Sequence, residues 1–253
     1  MTNGIPAPSH TSAGTSPPPV SPVALVTGGS AGLGLALVRA LHADGWQVVT
    51  DARTGPALAE ATGELSRVTA LAGDVRSPAH QAQLADLVDG LGRLDLLVHN
   101  ASELGPMREL ADVVLPQVQE VLDINVLAPL ALTQRLLPRL RSSDGTLVGI
   151  SSDAAVEHYL TWGAYAASKA ALDHVVLTLG AETGLTAYAV DPGDLRTAMH
   201  QRAFPGEDIS DRPLPETVVP ALLALVRSGR PTGRYRLADV SPIRDGLLEE
   251  VAP

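Results

Sequence analysis

The chain has no cysteine, three methionines, seven aromatic residues and a single lysine, Lys169, among eighteen basic side chains. Without cysteine, disulfide frameworks, thiolate nucleophiles and cysteine-ligated zinc or iron–sulfur sites are excluded within these residues. Basic runs are also missing. Twenty-eight acidic groups give a formal charge of −10, which argues against nucleic acid or an anionic membrane surface as a partner. Apolar runs are broken by Arg, Asp or Gln well short of the roughly 20 residues needed to span a bilayer. The amino-terminal stretch has neither a basic start nor an apolar core, so it does not read as an export signal. These absences point to the cytoplasm. The seven histidines are dispersed and no H-E-x-x-H occurs, so no metal site is expected.

Residues 1–22 hold six prolines among Ser, Thr and Gly and read as a flexible tail. From residue 23 to about 193, short apolar runs alternate with helical patterns. Strands are expected at 23–27, 47–50, 67–72, 94–99, 146–151 and 186–190. The main helices are expected at 33–44, 79–91, 113–137 and 159–179, with Pro116 and Pro129 bending or breaking the third. Such alternation gives an α/β fold: one Rossmann-type, doubly wound parallel sheet with helices on both faces. No linker or fixed-period repeat divides it, so 23–253 is read as one domain. A further helix at 216–228 and a last strand at 235–238 complete it.

Thr27-Gly-Gly-Ser-Ala-Gly-Leu-Gly34 lies between the first strand and the first helix. Glycines there permit a tight turn and bring backbone N–H groups to a pyrophosphate at the positive end of a helix. Gly28, Ser30, Gly32, Leu33 and Gly34 are therefore candidate cofactor contacts. The spacing is not G-x-G-x-x-G, and the absence of Gly-Lys-Ser/Thr disfavours a triphosphate loop. The second strand ends in Asp51-Ala52-Arg53. An acid suits the ribose hydroxyls of NAD and an arginine the 2′-phosphate of NADP, so the dipeptide ends leave both open. Asp74, with Val75, follows the third strand as a candidate adenine contact. Asn100 and Ala101 follow the fourth, at the carboxyl edge where ligands bind.

Tyr165 and Lys169 are four residues apart and share a helical face. A cation beside a phenol favours its ionised form, as acid/base chemistry requires. Ser151 and Ser152 end the preceding strand at the same sheet edge, where a hydroxyl can polarise a carbonyl. Asn125 is an asparagine within an apolar helix; core hydrogen bonding and a functional role both account for it.

With these motifs in this order, the chain resembles the short-chain dehydrogenase/reductase family, in its common branch of about 250 residues. The resemblance runs from Val23 to Ala238 and includes Asp191-Pro192-Gly193 with Thr197 beyond. It implies a catalytic tetrad of Asn125, Ser152, Tyr165 and Lys169. Tyr165 would be the acid/base and Ser152 would polarise the carbonyl. Lys169 would lower the tyrosine pKa and bind the nicotinamide ribose, and Asn125 would hold a kinked helix and a proton-relay water. Pro192, Gly193 and Thr197 would pack on the nicotinamide. The family's usual Asn-Asn-Ala-Gly is replaced here by His99-Asn100-Ala101-Ser102, with His99 read as strand packing. The family's NAD-selecting acid would fall at Ala52, and Arg53 takes the place of the NADP-binding basic residue, so NADP is preferred to NAD.

The resemblance also implies a ketone or secondary alcohol as the small-molecule partner, a substrate flap over 194–215, and a homotetramer or homodimer. Glu103, Leu104, Met107, His158, Tyr159 and Trp162 are further pocket candidates. The alternatives are a non-catalytic dinucleotide-binding regulator or scaffold and, further off, a nucleotide-sugar epimerase or dehydratase.

Overall fold

The structure is a computed structural model that describes residues 21–240. Most of the proposed tail (1–20) and the end of the proposed domain (241–253) lie outside the described residues. Seven strands form one sheet: β1 Val23–Val26, β2 Gln47–Ala52, β3 Val68–Ala72, β4 Leu96–His99, β5 Thr146–Ile150, β6 Thr186–Asp191 and β7 Gly233–Arg236. Their order is β3-β2-β1-β4-β5-β6-β7 and every pairing is parallel.

The interior strands β1, β4 and β5 are buried along their whole length and apolar except for His99 and Thr146, as suits parallel strands covered on both faces. Side chains of β1 alternate between two cores. Ala24 and Val26 join α1 (Gly32–Ala43) and α8 (Val219–Arg227) on one face. Val23 and Leu25 join α3 (Pro78–Leu91), α5 (Ala128–Ser142) and α6 (Gly163–Thr183) on the other. The remaining helices are α2 (Gly55–Thr62), α4 (Leu115–Leu122) and α7 (Ala198–Ala203). The strand order reverses between β1 and β4, which opens a crevice at their carboxyl ends. Among the described residues no helix is long and apolar enough to cross a membrane.

Two helix expectations are corrected. The helix expected over 113–137 starts at Leu115 and runs through a π-turn, Asp123–Leu127, into α5. Pro116 and Pro129 fall in the first turns of α4 and α5 rather than breaking anything. After the π-turn, where the N–H of Ala128 reaches Asp123 five residues back, a residue with no N–H costs little. The helix expected from Tyr159 begins instead at Gly163. Ser152 caps a short 3₁₀ turn at Asp153–Ala155, and Thr161 adopts φ 69°, which a helix cannot include.

Candidate active site

One cavity of about 1000 Å³ follows the carboxyl edge of the sheet from Arg53 to Phe204. The cavity is lined by the amino end of α1. Gly28 (φ 75°) and Gly32 (φ 55°) make the left-handed turns that aim it. Ala31, at the helix cap, offers no side-chain hydrogen bond, so the first N–H groups of a twelve-residue helix face the cavity without a cap. Ser30, Gly32 and Leu33 line that end. Gly34 does not line it. A β-carbon there would lie 2.3 Å from the Gly28 carbonyl oxygen and 2.4 Å from Asn100 Nδ2, so this glycine lets the helix close on the turn. Asn100 completes the closure: its Nδ2 donates to the carbonyls of Thr27 (2.8 Å) and Gly28 (3.2 Å). An anionic diphosphate fits this cradle on charge and on space.

Beyond β2 the two candidate ribose readers part. Asp51 is 1% exposed; its carboxylate accepts from the Gly28 N–H (2.9 Å) and faces His80 Nε2 (2.9 Å). It supports the glycine turn from beneath. Arg53 extends to the rim with its side chain 61% exposed, loosely paired with Glu103 at 3.5 Å. Asp74, Val75 and Ala101 line the same end. Arg76 grips Asp74 at 2.6 Å and holds its carboxyl below the usual range. His80 gave no sequence signal, because its partner Asp51 stands on β2, 29 residues earlier in the chain.

At the other end Ser152, Tyr165 and Lys169 line one wall. Pro192, Gly193 and Thr197 also line the cavity, Thr197 beside Gly32. Burial pushes the Tyr165 phenol well above its ordinary pKa, while the hydroxyls of Ser152 and Ser102 pull the other way. Lys169 lies over the tyrosine ring, 5.5 Å from its centroid, and donates to the Ile150 carbonyl at 2.7 Å. Its own burial lowers its pKa to about 8, against the opposing charge of Asp173. The tyrosine shift is thus upward, set by burial and opposite to the lowering expected from Lys169. Ser152 Oγ donates to Asp153 Oδ1 at 3.0 Å, and Tyr159 donates to Asp153 Oδ2 at 2.8 Å. That contact raises the Tyr159 pKa to about 12.

Asn125 lies behind this wall rather than in the cavity. The π-turn carries it, buried, to the Ser168 hydroxyl (2.8 Å), and it exchanges bonds with the Glu103 backbone at 2.8 and 2.9 Å. Ser102 donates to it at 3.2 Å. His99 pairs with Thr133 at 2.7 Å, and burial drops its pKa to about 3, so it is a neutral packing residue.

One positioning residue was invisible in the sequence. Arg234, on β7, donates to the Ser152 carbonyl (2.8 Å), to Asp173 on α6 (3.1 Å) and to Asp191 at the end of β6 (3.5 Å). Asp191 in turn accepts from the Gly193 N–H at 3.0 Å. A single guanidinium therefore ties the serine, the lysine helix and the Pro192-Gly193 loop together. Neither Asp173, one helical turn after Lys169, nor Arg234, sixty-five residues away, was singled out from the sequence.

A sequence model described as short chain dehydrogenase matches residues 22–208. The chain is 35% identical over 184 residues to the oxidoreductase YIR035C of Saccharomyces cerevisiae, covering 70% of this chain and 72% of the relative. A short-chain dehydrogenase from Escherichia coli CFT073, solved with NADPH, is similar with TM-score 0.80 and 32% identity, over 85% of this chain and 96% of that one. One from Shigella flexneri, solved with NADP, has TM-score 0.79 and 32% identity, over 86% and 97%.

Proposed function

Because the chain belongs to the short-chain dehydrogenase/reductase family and is an oxidoreductase, we propose that it interconverts a ketone and a secondary alcohol with NADP(H), Tyr165 serving as general acid in reduction and general base in oxidation. The observation that carries this reading is the shared cavity: the hydroxyls of Tyr165 and Ser152 line one end of it and the uncapped start of α1 the other. A bound nicotinamide supplies the hydride for reduction or takes it up in oxidation. Overall, ketone, NADPH and a proton give secondary alcohol and NADP⁺.

The residues supply the rest. Buried Tyr165 keeps its proton at neutral pH and so holds it ready for the carbonyl oxygen. Ser152 turns its hydroxyl from Asp153 to the same oxygen, giving a second donor where negative charge develops. Lys169 balances that charge from behind the ring. NADP is favoured over NAD because Asp51 is committed to Gly28 and His80, whereas Arg53, exposed at the rim and held only at 3.5 Å by Glu103, can turn to a 2′-phosphate. NAD remains the weaker cofactor in this reading.

Exposed Leu115, Leu127 and Leu160 support assembly as a homotetramer or homodimer; a monomer mass by light scattering would refute this. The function itself is tested with Tyr165→Phe. The variant should bind NADPH like the wild type in a fluorescence titration, more tightly than NADH, and lose at least about 100-fold in ketone reduction. Near-normal turnover would contradict the assignment.

A further inference from the structure

Aromatic side chains are scarce in this chain, yet four of the seven (Tyr159, Trp162, Tyr165 and Phe204) line this cavity. Phe204 is the only phenylalanine. Trp162 is the hub. Its ring centroid lies 5.9 Å from that of Tyr165, 5.9 Å from Phe204 and 6.1 Å from Tyr159, with interplanar angles of 70°, 48° and 61°. His200 extends the series, its ring 4.8 Å from Phe204. Leu104, Met107 and Met199 pack beside these rings, so the corner is apolar as well as aromatic.

Two features separate this corner from ordinary core packing. It is assembled from different parts of the chain, Tyr159 and Trp162 before α6 and Phe204 just after α7, and it opens on the cavity rather than closing it. It also begins at the catalytic phenol. A group bonded directly to a carbonyl carbon, with the carbonyl oxygen at Tyr165, comes within one ring's reach of Trp162.

The charge nearby selects further. Asp153, beside Ser152, is held by the Ser152 and Tyr159 hydroxyls and by the Ala154 N–H. No cation pairs with it among the described residues. Arg202, the flap arginine that lines the cavity, is turned to Glu103 at 3.5 Å. A carboxylate on the substrate would therefore meet an uncompensated negative charge.

Resting on the carbonyl-reductase reading above, we propose that the physiological substrate class is the neutral aryl ketone, or the corresponding aryl carbinol, with its ring held at the Trp162–Phe204 corner. An aromatic ring gains edge and stacked contacts there that a saturated ring of the same skeleton does not. Conjugation makes an aryl ketone intrinsically less electrophilic than its saturated counterpart, so a preference for it has to come from the protein.

The test compares acetophenone, cyclohexyl methyl ketone and 4-acetylbenzoate with NADPH as reductant. Wild-type protein should favour acetophenone over the cyclohexyl ketone by about tenfold in kcat/KM, the size of one or two aromatic contacts, and should turn over the benzoate least. In Trp162→Leu and in Phe204→Leu the aryl-to-cyclohexyl ratio should fall to within about twofold of unity; the ratio does not depend on how much of a variant folds. Without turnover, 1-phenylethanol should perturb tryptophan emission of the protein at concentrations where 1-cyclohexylethanol does not. Equal turnover of the two neutral ketones by the wild type, a ratio unchanged in both variants, or a preference for the benzoate would overturn the aryl proposal and leave the reductase reading intact. Reduction of none of the three would overturn both.

Discussion

Lys169 is the rarest charged residue of the chain and among its most deeply buried, 2% exposed with one backbone carbonyl as its hydrogen-bond acceptor. Burial lowers its pKa from 10.5 to about 8, so the folded state disfavours its charged form. Between those two values the unfolded chain binds the proton and the folded chain does not, and stability therefore rises with pH across that window. Below about pH 8 the cost of the buried charge is fully present. Denaturant unfolding of wild type and Lys169→Met at pH 7 and pH 9.5 checks this: the wild type should gain about 2 kcal/mol relative to the variant between the two values. The same titration should appear in function, with kcat/KM for reduction declining as pH rises through about 8 and the ammonium is lost. A gap in stability that does not change with pH would show that Lys169 is not titrating there.

At the scale of elements, the glycine turn and α1 are the most exacting fit. Gly34 is needed not for an unusual backbone angle but because α1 packs against the Gly28 carbonyl and the Asn100 side chain with no room for a β-carbon. Gly34→Ala should lower stability by about 1–3 kcal/mol and weaken NADPH binding by displacing Asn100 from the turn, read by thermal unfolding and by titration. Unchanged binding would mean that Asn100 closes the cradle without help. The turn itself was legible, because glycines between a buried strand and an amphipathic helix have few other uses. So was the parallel sheet, since β1, β4 and β5 are short, mostly apolar runs between helical patterns. The π-turn around Asn125 was not, because its sequence, Asp-Ile-Asn-Val-Leu, has ordinary helical spacing and the change of register is enforced by Ser168, Ser102 and Glu103 from other parts of the chain. The late start of α6 was hidden for a related reason: it depends on Thr161 taking a conformation that nothing in its neighbours announces. Asp51 was misleading in isolation, since only the fold shows it beneath the turn and against His80.

At the scale of the molecule, the reversal of strand order between β1 and β4 sets one long crevice along the carboxyl edge of the sheet. Its ends differ in character. One presents the uncapped N–H groups of α1 and Arg53; the other presents a phenol, a serine and an aromatic corner. Arg234 joins the serine, α6 and the Pro192-Gly193 loop from the outermost strand, so the Tyr165 end is held from the edge of the sheet as well as from its centre. The central claim is that both ends serve one reaction, in which hydride passes to a carbonyl carbon while Tyr165 protonates its oxygen. Isotope transfer measures that directly. With NADPH deuterated at nicotinamide C4 on either face in turn, one of the two preparations should place one deuterium on the carbinol carbon of the product, and Tyr165→Phe should suppress its formation. Tight NADPH binding with no deuterium delivered from either face to any of the ketones would contradict the account and mark the chain as a dinucleotide-binding protein without this activity.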